Sequence, residues 1–93
     1  MFAYQTGCSY KVYVKQTEYM AQRERLLTLL RKLRIDAELT QAALASRLER
    51  DQTFVSKYES GERRLDILEL REVCRAIGID FVKVVQTLDR DLG

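Results

Sequence analysis

From Leu26 to Leu88 the apolar residues recur three and four positions apart, and each run soon meets a capping residue or a breaker. This spacing gathers side chains on one face of a helix. Leu26, Leu29, Leu30 and Leu33 form the first stripe, predicted from about Met20 to Ile35 or Asp36. Thr40 is a good N-cap for a second helix, where Ala42, Ala43, Leu44, Ala45 and Leu48 supply small and apolar faces. Glu49 and Arg50 form the break. Asp51 is expected to cap a third helix, with Val55 and Tyr58 inward and Ser60-Gly61 at its end. Asp66 caps a fourth, and Glu69 completes a capping-box-like pair. The apolar positions of that helix are Ile67, Leu70, Val73, Cys74 and Ile77, and Gly78 is its stop. Asp80 caps a fifth, carrying Phe81, Val84, Val85 and Leu88. With no proline, repeat or low-complexity segment, the reading is an all-α domain of five short helices over residues 20–93.

Residues 1–19 differ and stand outside that domain. They hold four of the five tyrosines. Residues 10–15 alternate, with Tyr10, Val12 and Val14 on one face, which is a strand signal. A lone strand needs a partner for its backbone groups. Pairing with the same strand of a second chain would supply one. The alternative is a flexible arm, or a start-site extension, because Met20 could itself begin a protein.

Ninety-three residues suit one domain with a modest core. The 46% apolar and 32% charged content is that of an ordinary folded, soluble chain. No apolar run is long enough to span a membrane, and the N-terminus lacks the pattern of a signal peptide, so a cytoplasmic location is expected. Cys8 and Cys74 lack metal-ligand spacing, and Cys74 falls in an apolar helical pattern, as a buried free thiol would. Histidine is absent, which removes the commonest general base and metal ligand. No glycine-rich phosphate loop or nucleophile elbow is present. The chain reads as neither an enzyme nor a metal or cofactor protein. A net charge of +2 decides little. Residues 47–64 hold five basic and four acidic side chains, so a nucleic-acid surface would have to come from placement.

Placement is what the second and third helices offer. Only a short turn separates them, which sets them at a steep angle and exposes the start of the third. That geometry lets one helix enter the major groove while the other crosses the backbone. Residues 39–61 resemble the phage repressor and Cro type of helix-turn-helix family, also called the xenobiotic-response-element type. The resemblance rests on Leu39-Thr40-Gln41, Leu44-Ala45, Leu48, Gln52, Val55-Ser56-Lys57-Tyr58-Glu59 and Gly61-Glu62-Arg63. Leu70, Val73, Ile77 and Gly78 continue it, so it covers roughly residues 24–88. It implies a five-helix, lambda-repressor-like fold and sequence-specific binding to double-stranded DNA.

The resemblance also implies residue roles. Gln52 would read an adenine edge through its amide, with Thr53 and Phe54 beside it, and Ser56 and Lys57 one turn on. Phe54 is expected to face outward, covered by thymine methyls; its other reading is packing against a neighbouring helix. Gln41 would hold a phosphate at the start of the second helix, with Arg50, Ser60, Arg63 and Arg64 along the backbone. Arg34 and Glu59 occupy the places of a structural ion pair tying the first helix to the motif. Two departures stand out: Glu38 and Glu49 replace glycines common in the family at two turns, and Asp51 sets a negative charge close to DNA.

One motif buries too little DNA for tight specific binding, so a homodimer on a palindrome is expected. The stripe of Phe81, Val84, Val85 and Leu88 is one candidate interface, and Tyr10, Val12 and Val14 are another. The expected function is a transcriptional regulator, as a repressor or by contact with RNA polymerase. The alternative is an antitoxin that binds its own operator and a toxin protein.

Overall fold

The computed structural model describes the backbone of residues 9–93 and the side chains of residues 17–93. Five helices are present among them: α1 (Ser9–Asp36), α2 (Gln41–Leu48), α3 (Gln52–Ser60), α4 (Ile67–Ile77) and α5 (Phe81–Leu92). The four later helices fall where the periodicity and caps predict. The strand over residues 10–15 does not form; those residues are helical and belong to α1, which runs unbroken through residues 19 and 20. A helix satisfies its own backbone, whereas a single strand would have no strand beside it to bond among the described residues. The side chains of Tyr10, Val12 and Val14, and with them the proposed N-terminal interface, lie outside the described residues.

Four helices end the same way. An amide just beyond the helix, one residue past its end in α2, α3 and α4 and two past it in α1, bonds three residues back, and the next amide bonds five back. Glu38 N donates to Ile35 O at 2.9 Å and Leu39 N to Arg34 O at 3.1 Å; Glu49 N donates to Ser46 O at 3.1 Å and Arg50 N to Ala45 O at 3.0 Å. The same pairs recur at Gly61-Glu62 after α3 and at Gly78-Ile79 after α4. This closure requires a left-handed residue, which glycine supplies without strain. Here Glu38 and Glu49 take it at φ 61° and 57°. The glutamates therefore do not displace the turns; they adopt the glycine conformation at a cost of about 1–2 kcal/mol each.

The helix starts are equally local. Thr40 Oγ1 accepts from Ala43 N at 3.0 Å, Asp80 Oδ1 accepts from Val82 N, and Asp66 with Glu69 forms the full reciprocal capping box. Asp51 stands at the N-cap of α3 in extended backbone, but its side chain makes no capping hydrogen bond.

The core is one cluster. Leu30 from α1, Leu44 and Ala45 from α2, Val55 and Tyr58 from α3, and Val73, Cys74 and Ile77 from α4 are buried, with Leu39 and Val84 closing it. Ile67, at the first turn of α4, does not join it and remains 68% exposed. Small Ala45 lets α2 approach its neighbours closely. Arg47 Nη1 adds a tie from α2 to the end of α4, donating to Ala76 O at 2.9 Å. The short α3 is thus held by packing on α1 and α2 rather than by its own length.

Candidate nucleic-acid interface

Three residues, Glu49-Arg50-Asp51, separate the end of α2 from the start of α3. A helix advances 100° per residue, so Gln52, Thr53, Ser56, Lys57 and Ser60 fall on one side and Phe54, Val55 and Tyr58 on the other. The structure follows this division. Gln52, Thr53, Lys57 and Ser60 are exposed and Ser56 is half-buried. Ser56 Oγ donates to Thr53 O at 3.3 Å, and Ser60 Oγ donates to Lys57 O at 3.0 Å. The hydroxyls thus rest on their own helix.

Phe54 does not face outward. The residue is 8% exposed, and its ring meets Tyr58 edge-on, with centroids 5.6 Å apart. The guanidinium of Arg50 lies 4.3 Å from the ring centroid and that of Arg63 lies 4.7 Å from it. The packing alternative is therefore the one realised, and an exposed phenylalanine among the base readers is corrected. The reason is angular: Phe54 lies one turn before Tyr58, on the buried side of α3.

The expected ion pair is present and larger than a pair. Arg34 Nε donates to Glu59 Oε2 at 2.7 Å, and Arg34 Nη2 donates to Glu59 Oε1 at 3.1 Å. Gln41 Nε2 donates to the same Oε1 at 2.9 Å. Gln41 is thus not a free amide at the start of α2. One N–H is committed to Glu59, leaving its second N–H and its carbonyl for another partner.

Arg63 is also committed. Its Nη1 and Nη2 donate to the two oxygens of Glu69 at 3.0 and 2.7 Å, and Nη1 also donates to Arg64 O. Arg50 stands 3.7 Å from Glu69 and keeps 40% of its side chain exposed. The Arg63 guanidinium and the Asp66 amide together pull the Glu69 carboxyl down to about 2. Arg64 is exposed, 5.9 Å from the centroid of the Tyr19 ring. Glu69 was legible only as a capping residue. Its second task, six residues from Arg63 across a loop, leaves no periodic signal. The bond from Arg23 to Gly61 O at 2.9 Å, which ties α1 to the end of α3, leaves none either.

An open depression of about 830 Å³ lies beside α3. Ser46, Glu49, Arg50 and Asp51 line one part of it, and Thr53, Phe54, Lys57 and Arg63 the rest. On α5, Val84 belongs to the core, Phe81 and Leu88 are half-buried, and Val85 is 41% exposed.

Two short helices joined by a tight turn, the second showing a polar face beside a concave, cation-bearing surface, define a helix-turn-helix DNA-binding regulator. The comparisons agree. A family model described as a helix-turn-helix domain matches residues 25–84. A solved structure, an XRE-family like protein from Pseudomonas syringae pv. tomato str. DC3000, is 42% identical with a TM-score of 0.82. The match covers 84% of this chain and 95% of that one. No curated protein sequence matches. The chain belongs to the XRE-type helix-turn-helix family. No helix among the described residues is long and apolar enough to cross a membrane.

Proposed function

We propose that this chain is a cytoplasmic transcriptional regulator that binds a palindromic operator as a homodimer, with α3 in the major groove. The observation that carries the reading is the outward set Gln52, Thr53 and Lys57 on a helix whose opposite side is locked into the core. A primary amide bonds adenine in both directions, a hydroxyl and methyl suit either a polar edge or thymine, and an ammonium suits guanine or phosphate. Base contacts specify only when the reading helix cannot tilt, and the Arg34–Glu59–Gln41 network fixes α3 against α1 and α2. Gln41, with its remaining N–H, Arg50, Arg64 and Ser60 would serve the backbone. Arg63 would contribute less than its position suggests, because Glu69 holds both its arms. Val85, with the adjoining Val82 at 59% exposure, would meet the second chain.

The test is selection from random duplex DNA at two salt concentrations, with Gln52→Ala beside the parent. Enrichment of a palindrome that relaxes at one symmetric position in Gln52→Ala supports the reading. Weak, sequence-blind binding equal in both proteins rejects it.

A further inference from the structure

We infer that Glu69 is a specificity-determining residue: by neutralising Arg63 at the rim of the reading face, it suppresses sequence-blind attraction to phosphate. The inference rests on the DNA-binding reading above and assigns that surface a brake.

The cation-bearing depression presents Arg50, Lys57 and Arg63, against Glu49 and Asp51. Three positive and two negative groups would leave it attractive to any phosphate chain. Glu69 lies behind the rim with 15% of its side chain exposed and brings the local sum to zero. Phe54 makes the arrangement possible. Its buried ring offers a guanidinium platform on which Arg50 and Arg63 both rest, within reach of one carboxylate. The carboxylate does not divide itself evenly. It takes two short hydrogen bonds from Arg63 and stands 3.7 Å from Arg50. Arg63 is neutralised and Arg50 is left available. Non-specific affinity comes almost wholly from cations that displace counterions, whereas discrimination comes from base edges. Removing one cation from the phosphate count lowers the first and spares the second, so the ratio of specific to non-specific binding rises.

The experiment measures binding of scrambled and selected duplexes across a salt series for the parent, Glu69→Gln, Arg63→Gln/Glu69→Gln and Asp89→Asn. Glutamine keeps an oxygen for the Asp66 amide, so the helix cap survives. Asp89→Asn makes the same change in net charge on the exposed side of α5. Glu69→Gln is expected to steepen the salt slope on scrambled duplex by about 0.9, the value of one added phosphate contact, and to tighten that binding severalfold. Its specificity ratio falls. The double variant returns to the parental slope, and Asp89→Asn keeps it. A folded Glu69→Gln with the parental slope overturns the inference, as does equal steepening in Asp89→Asn, which would mark bulk charge. If the parent itself shows no salt-dependent binding, the regulator reading falls and the brake falls with it. A parent that binds normally beside an inert Glu69→Gln rejects the brake alone. Should Glu69→Gln fail to fold, the side-chain nitrogen resonances of Arg63 in the parent decide. They stay in place on scrambled duplex if Glu69 holds the guanidinium; their movement there overturns the inference.

Discussion

Arg34 grips Glu59 with two nitrogens, at 2.7 and 3.1 Å, while its third nitrogen donates to Leu39 O at 2.7 Å. Arg34 is 7% exposed, so the pair sits largely out of water. The hydrogen bonds that Arg34 donates to Glu59 favour the charged guanidinium and outweigh the burial that opposes it. Breaking such a pair from one side leaves an uncompensated charge and costs about 3–5 kcal/mol. Arg34→Met and Glu59→Met are each expected to lose stability of that order in urea denaturation. The double variant is expected to lose less than either single one, because no lone charge remains. A double variant that loses the sum of the two would show that the pair does not act as a unit.

The left-handed glutamates predict a gain. Glu49→Gly relieves a strain of about 1–2 kcal/mol but raises unfolded-chain entropy by roughly half to one kcal/mol. The net is a stabilisation on the order of 0.5–1 kcal/mol, a rise of a few degrees in Tm for a domain this size. Glu38→Gly is expected to behave alike, since its backbone closure is the same. Thermal melts of both variants check this, and a lower Tm in both would mean the glutamate side chains contribute something that outweighs the strain.

Glu69 makes acid sensitivity local. Its folded-state carboxyl titrates near 2, below the usual range of about 4.3 for an unfolded glutamate. A lowered folded value means the stability it contributes is fully present above the unfolded value. That contribution is lost as pH falls from about 4.3 towards 2. Between pH 6 and pH 3 the parent is therefore expected to lose more stability than Glu69→Gln. Denaturant curves at the two pH values measure the difference; equal losses would remove Glu69 from the acid response.

Cys74 is fully buried, and burial raises its thiol to about 11. The thiolate is the reactive form, so a folded chain offers neither the ionised sulfur nor access to it. In a Cys8→Ser background, labelling of Cys74 by a thiol reagent at neutral pH is expected to be slow and to accelerate in step with urea unfolding. Fast labelling of the folded protein would mean that α4 opens locally.

The sequence by itself determined what depends on near neighbours. The positions of α2 to α5 followed from periods of three and four residues. The caps at Thr40, Asp66 and Asp80 and the stops at Gly61 and Gly78 followed from local backbone chemistry. The strained turns were legible through the resemblance, as glutamates standing where the family often has glycine. The resemblance carried the Arg34–Glu59 pair across 25 positions, because the family's pattern encodes that contact. The tertiary structure alone decided what depends on angle and on residues brought together from afar. It turned Phe54 inward, since 100° per residue sets it with Tyr58 rather than with Thr53. It drew residues 10–15 into a helix, because a strand needs a neighbour that no period can supply. It committed Gln41 to Glu59 and Arg63 to Glu69. A sequence shows that a side chain is charged; only the fold shows whether an opposite charge has already claimed it.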